Sequence, residues 1–248
     1  MPTFKDHFSD ASAAYAAHRP TYPIELVDEL AKASPGRQLA LDCCCGTGQL
    51  SVLLAERFDK VVATDASSSQ IEQARPHERV TYRTALAQQS GLPDASADLI
   101  AVAQAAHWLE LDAFYNEVRR VARPKATVAL ICYGLHHVDE AIDRIVLHFY
   151  NETIGPYWPP ERRLVEEGYR TLPFPFRETR LPNLAMEASW RLEDLIAYIK
   201  TWSAVKAAEK ALGSNPADRL EQLLRAEWGD ANEKRRVTWP LSVRAGIV

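Results

Sequence analysis

Along the first 135 residues, short apolar runs alternate with longer segments whose apolar positions recur at helical spacing. Runs near Gln38–Cys44, Lys60–Thr64, Val80–Thr84, Ala97–Ala103 and Thr127–Tyr133 predict five strands. One helix is expected over Tyr22–Ala33, entered after Pro20 and Pro23 and stopped by Pro35 and Gly36, and another over Leu50–Phe58. This β-α-β order implies a parallel sheet covered by helices. Such sheets bind ligands where the strand order reverses, here at the carboxyl ends of strands one and four.

Beyond Gly134 the regular alternation stops. Asp139–Tyr150, Leu192–Ala211 and Pro216–Trp228 carry helical periodicity, whereas Gly155–Phe176 is a loop rich in proline and aromatic residues. Phe176–Leu181 and Arg235–Ile247 read as late strands, the second broken by Pro240.

The most informative stretch is Leu39 to Asp65. A strand leads into Asp42, then the turn Cys43, Cys44, Cys45, Gly46, Thr47, Gly48; a helix follows, and a second strand ends in Asp65. Small turn residues let backbone approach a nucleoside, and an acid ending the next strand takes ribose hydroxyls, so an adenosine-bearing cofactor is expected. Dinucleotide sites need G-x-G-x-x-G for a pyrophosphate at the helix N-terminus. No third glycine stands at that spacing, and Asp42 would repel a pyrophosphate while holding the ammonium group of an amino-acid tail. The cofactor implied is S-adenosylmethionine, with a dinucleotide oxidoreductase the weaker alternative.

Composition narrows the partners. With 29 basic and 33 acidic residues, a net charge of −4 offers no electrostatic attraction to nucleic acid or an anionic membrane. No apolar run nears the ~20 residues of a membrane-spanning helix, and Met1–Asp10 lacks a signal-peptide pattern, so a cytoplasmic protein is the expectation. Three of the four cysteines are consecutive, a spacing unsuited to zinc. Cys43, Cys45 and Cys132 read as apolar filler, and Cys44 alone, by its turn position, as a site candidate.

The turn resembles the first motif, [DE]-x-G-x-G-x-G, of class I S-adenosylmethionine-dependent methyltransferases, within them the small-molecule group that includes trans-aconitate methyltransferase-like proteins. Asp42, Gly46 and Gly48 match, and Cys44 replaces the first glycine. A side chain there is tolerated if Cys44 keeps a negative φ; otherwise the pocket is altered. Tyr15, Arg19, Pro20, Tyr22 and Pro23 match a Y-x3-R-P-x-Y-P segment that the family lays over the cofactor. Gln104, Ala105, Ala106, His107 and Trp108 are close to its Q-A-L-H-W pattern. Glu117, Arg120, Arg123 and Pro124 resemble its E-x2-R-V-x-R-P-G run, with Lys125 where glycine is usual, and read as structural.

The resemblance implies an α/β fold: a Rossmann-like mixed seven-stranded sheet flanked by helices, with helical lid insertions. The whole of 1–248 would be one domain: 1–135 the cofactor core, 136–232 mostly lid and substrate insertions with a late strand near 176–181, and 235–247 the closing strands. Cofactor contacts are expected from Tyr15, Arg19, Asp42, Cys44, Gly46, Gly48, Asp65 and Ala66. Ala87 and Gln88 would lie at the adenine, and Gln104 at the amino-acid tail. His107 is the candidate catalytic residue, as a base for an acceptor that needs one. Trp108, Tyr157, Trp158 and Trp202 would border a small-molecule methyl acceptor, the family sharing the Y-W-P-P and T-W-S segments. The product would be S-adenosylhomocysteine, and the resemblance points to a carboxylate oxygen as the methyl acceptor; the alternative is a silent protein that binds the cofactor without turnover.

Overall fold

The computed structural model describes residues 20–248, so Tyr15 and Arg19 lie outside the described residues. Its strands are β1 (Leu39–Cys43), β2 (Lys60–Asp65), β3 (Val80–Thr84), β4 (Ala97–Ala103), β5 (Ala122–Tyr133), β6 (Arg177–Thr179), β7 (Ala185–Trp190) and β8 (Arg235–Ile247). The helices are α1 (Ile24–Ala33), α2 (Gln49–Leu54), α3 (Ser68–Glu72), α4 (Leu111–Val121), α5 (Glu140–His148), α6 (Arg162–Glu166), α7 (Leu192–Lys200), α8 (Ser203–Leu212) and α9 (Ala217–Trp228).

The sheet runs β3-β2-β1-β4-β5-β8-β6, with β1 to β5 parallel and β8 antiparallel to its neighbours. Order therefore reverses between β1 and β4, as the strand pattern implies. Alternation along the buried strands divides the apolar residues between two cores. Ala40, Val61, Leu99, Ala101 and Ile131 face α1, α2 and the later helices α7 to α9. Leu41, Val62, Ile100, Val102, Leu130 and Cys132 face Phe114, Tyr115 and Val118 of α4 and, farther along, Val165 and Tyr169.

The sheet is mixed and helix-flanked as expected, but among the described residues it has eight strands instead of seven. The addition is β7, which pairs Ala185–Trp190 against the first half of β8. Only Met186 of this strand is fully buried, so its sequence carries little alternation to read. Pro240 does not end β8. It stands opposite Ala185 in the β7 ladder, and from Leu241 onward the strand pairs with β5 instead. A residue without an N–H is suited to that change of partner.

Two further boundaries differ. The helix expected over Leu192–Ala211 is two helices: the Thr201 hydroxyl donates to the Tyr198 carbonyl at 2.6 Å, and Trp202 is extended (φ −65°, ψ 137°). The proline-rich loop contains the short helix α6. Glu117 and Arg120 are structural, as expected: the carboxylate accepts from Ser90 N at 2.8 Å and from Arg120 Nε at 2.8 Å, tying α4 to the segment after β3. Lys125 has a φ of +68°, the conformation that explains a glycine preference there.

Candidate active site

The turn after β1 is built from left-handed residues. Cys44, Gly46 and Gly48 have φ of 56°, 54° and 81°. Cys45 N donates to Thr64 O at 3.0 Å and Gly48 N to Cys45 O at 2.9 Å, fastening the turn to β2 and onto itself. A Cβ on Gly48 would lie 2.2 Å from the Tyr82 hydroxyl, so this position admits glycine for space as well as for φ. Of the two alternatives for Cys44, negative φ is ruled out: the thiol side chain sits on the backbone shape that glycine adopts at less cost. Burial, then the Asp65 and Asp42 charges, push its pKa well up, so it stays a neutral thiol with no nucleophilic role.

A prediction follows for this residue. Cys44→Gly relieves about 1–2 kcal/mol of left-handed strain while losing the packing of one small side chain. Cofactor affinity is expected to hold or improve, and unfolding free energy to stay within ~1 kcal/mol of the parent. Calorimetry with S-adenosylhomocysteine and urea unfolding check both; a tenfold loss of affinity would give the thiol a role in the pocket.

Two acids face this turn. Asp65 ends β2, where one carboxylate oxygen accepts from Gly46 N at 2.9 Å and the other from Ser67 N at 2.9 Å. These bonds aim the carboxylate at the mouth of the turn. Asp42 is 1% exposed; one oxygen accepts from the Ser51 hydroxyl at 2.6 Å, and Oδ1 is buried with no hydrogen-bond partner among the described residues. Burial, partly opposed by Ser51, and the nearby Asp65 charge raise its pKa to about 7. A buried acceptor in that condition suits a cationic donor, and S-adenosylmethionine carries one in its ammonium group. The residues present fit this cofactor: Asp65 for the ribose diol, the turn for close backbone approach, and Asp42 for the amino-acid tail.

Beside Asp65, a cleft of about 500 Å³ opens along Ala66, Thr84, Ala85, Leu86, Gln89 and Gly91. Ala66 thus stands where an adenine would enter. Ala87 is 4% exposed and belongs to the α4-side core, and Gln88 is half-buried; neither lines the cleft.

At the end of β4, Gln104 is also left-handed, with φ of 58°. Its amide donates to Tyr133 O at 2.9 Å and accepts from Tyr133 N at 3.0 Å, clamping β4 to β5. The sequence expectation puts this side chain on the cofactor tail; the structure gives it a backbone partner. A 3₁₀ turn, Ala106–Trp108, then presents His107, whose Nδ1 lies 2.8 Å from the Tyr169 hydroxyl. Trp108 packs against His107 with ring centroids 4.7 Å apart and the rings tilted by 45°. Burial, with the Arg162 charge adding to it, lowers the His107 pKa to about 4.

An aromatic wall stands nearby. Trp158 packs 4.9 Å from Tyr150 and 5.9 Å from Trp202, between ring centroids. Tyr157 packs against the larger core and is outside this ring cluster. Arg162 lies over the wall, its guanidinium carbon 4.9 Å from the Trp158 centroid and its Nε 2.6 Å from the Tyr150 hydroxyl. Behind Trp202 sits His136, 1% exposed, ringed by Tyr198, Trp202 and Trp239, with neither ring nitrogen hydrogen-bonded among the described residues.

Tyr169 and His136 escape sequence reasoning as site residues, and nothing local marks them. Arg162, with Arg163, is visible in the sequence beside Pro159 and Pro160 as an arginine that would select a carboxylate or another anion, weighed there against a solvated face. Among the described residues no cluster of side chains could hold a metal ion, and no helix is long and apolar enough to cross a membrane.

Residues 41–130 match the family model of a methyltransferase domain. Over 225 residues the chain is 36% identical to a protein of Dictyostelium discoideum provisionally described as a methyltransferase, covering 89% of this chain and 86% of that one. An uncharacterised methyltransferase of Mycobacterium bovis is 31% identical over 218 residues, covering 88% of this chain and 85% of that one. A solved structure from Anaeromyxobacter dehalogenans, provisionally described as a type II methyltransferase, superposes with a TM-score of 0.88 at 48% identity, covering 92% of this chain and 97% of that one. Joined to the glycine turn, the Asp65 carboxylate at its mouth and the buried acceptor on Asp42, these likenesses identify the chain as a member of the class I S-adenosylmethionine-dependent methyltransferases.

Proposed function

We propose that this enzyme methylates a small molecule on a carboxylate oxygen, as a member of the group that resembles trans-aconitate methyltransferase. The observation that carries the reading is Arg162. Its Nε donates to Tyr150 and lies 3.9 Å from Glu166 Oε1, its guanidinium carbon lies over Trp158, and its terminal nitrogens make no hydrogen bond among the described residues. A guanidinium fixed on one edge and open on the other is shaped for two-point binding of a carboxylate.

The cofactor supplies an electrophilic methyl on a sulfonium. In the displacement a carboxylate oxygen lone pair forms the new O–C bond as the C–S bond breaks, leaving a methyl ester and S-adenosylhomocysteine. No proton moves, so the protein must hold the acceptor in line and keep water out. The segment from His136 to Phe176, with the Trp202 turn, closes over the acceptor in this reading, and the rest of the domain binds the cofactor. A protein that binds without turnover has only Cys44 in its favour, and Cys44 keeps the glycine-like turn shape.

A screen of methyl transfer over small acids, phenols, amines and thiols, with product mass analysis, tests the acceptor class. Methyl esters are expected; transfer confined to amines or thiols would overturn the carboxylate reading. Trp158→Ala, which removes the platform under Arg162, is expected to lower kcat/KM for the acid at least tenfold while S-adenosylhomocysteine affinity changes less than threefold, on the order of 1.4 kcal/mol against under 0.7. Equal losses in both would place Trp158 in general packing.

A further inference from the structure

We propose that Tyr169 is a positioning residue that locks His107 in its Nε2–H tautomer, so that His107 joins Arg162 in donating hydrogen bonds to an anionic acceptor instead of acting as its base. The inference rests on the carboxylate reading for its ligand, though the tautomer stands apart from it.

The phenol oxygen of Tyr169 lies 2.8 Å from His107 Nδ1. Tyr169 is fully buried, and its hydroxyl makes no other hydrogen bond among the described residues. The single phenol proton therefore has one acceptor to go to, Nδ1. A neutral imidazole accepting at Nδ1 carries its own hydrogen on Nε2. That nitrogen has no hydrogen-bond partner among the described residues, and the ring is half-buried beside Trp108.

The fold holds Tyr169 in place at a cost. Gly168 and Tyr169 are successive left-handed residues, with φ of 62° and 61°, and Tyr169 is fully buried. A bulky residue in this conformation persists only where its surroundings over-determine it. Here Arg244 does so, donating to the carbonyls of Tyr169 at 2.9 Å and Leu172 at 2.7 Å. The strained backbone delivers one hydroxyl to one ring nitrogen. A depressed pKa keeps His107 neutral across the physiological range, which agrees with a donor and makes a weak base.

The test uses the full chain saturated with S-adenosylhomocysteine and labelled with ¹⁵N-histidine, with His107→Asn to assign the resonances. Long-range ¹H–¹⁵N correlation is expected to show Nε2 protonated and Nδ1 bare from pH 6 to 8, about one unit to either side of neutrality and above the usual histidine pKa at its upper end. Tyr169→Phe is expected to give a mixture of tautomers with cofactor affinity within twofold. Titration with benzoate as the anion probe should move the Nε2 signal, and Arg162→Gln should weaken that titration tenfold or more. Protonated Nδ1 in the parent, or unchanged tautomers in Tyr169→Phe, overturns the lock. A still Nε2 signal under benzoate, while the screen yields methyl esters, overturns the donor role. If the screen yields no ester but Tyr169 controls the tautomer, the acceptor reading falls and the lock stands.

Discussion

Asp65→Ala is expected to cost about 2–4 kcal/mol of affinity for S-adenosylhomocysteine, a loss of roughly 30- to 1000-fold, because a charged acceptor for two ribose hydroxyls leaves a site that is nearly closed to water. The carboxylate is 9% exposed and aimed by the Gly46 and Ser67 N–H groups, so the substitution also leaves those two donors without their partner. Asp65→Asn is the informative companion: it keeps the shape, retains one acceptor oxygen and should recover part of the loss. Calorimetry with S-adenosylhomocysteine measures both. Unchanged affinity in Asp65→Ala would move the ribose away from the end of β2.

A second large effect is expected away from the cofactor. Trp239 of β8 is fully buried, with Nε1 donating to the Tyr198 hydroxyl at 3.2 Å and its ring 4.9 Å from Trp190 and 5.9 Å from His136. Trp239→Ala should lower unfolding free energy by about 3–5 kcal/mol, combining lost burial with a cavity among rings that cannot easily collapse. Urea unfolding reads the change, and a loss below ~1 kcal/mol would mean that α7 and β7 repack over the gap. Trp239→Phe keeps most of the volume and removes only the indole donor, so it should fall well short of the alanine loss.

The parts of this molecule that can be read in its sequence are those where local pattern and global burial agree. β1 to β5 are legible because strands covered on both faces must be apolar almost throughout. β7 is not, since Ala185–Trp190 is a half-exposed ladder whose existence depends on β8, some fifty residues later in the chain. Asp65 is legible from its place after an apolar run. The conformation of Cys44 is not, because a cysteine ordinarily argues against positive φ and only tertiary bonds to β2 enforce it. Gln104 shows the limit of motif transfer: its position matches a family pattern, yet its side chain pairs with the Tyr133 backbone. His107 is visible, while its partner lies 62 positions away in a proline-rich segment with no periodicity to announce it.

The way β8 divides its edges has a consequence for the order in which the molecule can be assembled. One edge serves β5, and the other is shared by β7 before Pro240 and by β6 near Ala245–Ile247. β6 and β7 therefore find no place in the sheet until β8, the last of these elements to be synthesised, has inserted beside β5. During that interval the free edge of β5, whose residues Val128 to Cys132 are fully buried in the finished structure, is a naked strand of apolar residues. A nascent chain stalled before Arg235 would expose that edge to any extended polypeptide that met it, and would depend on chaperones to keep it apart from its neighbours.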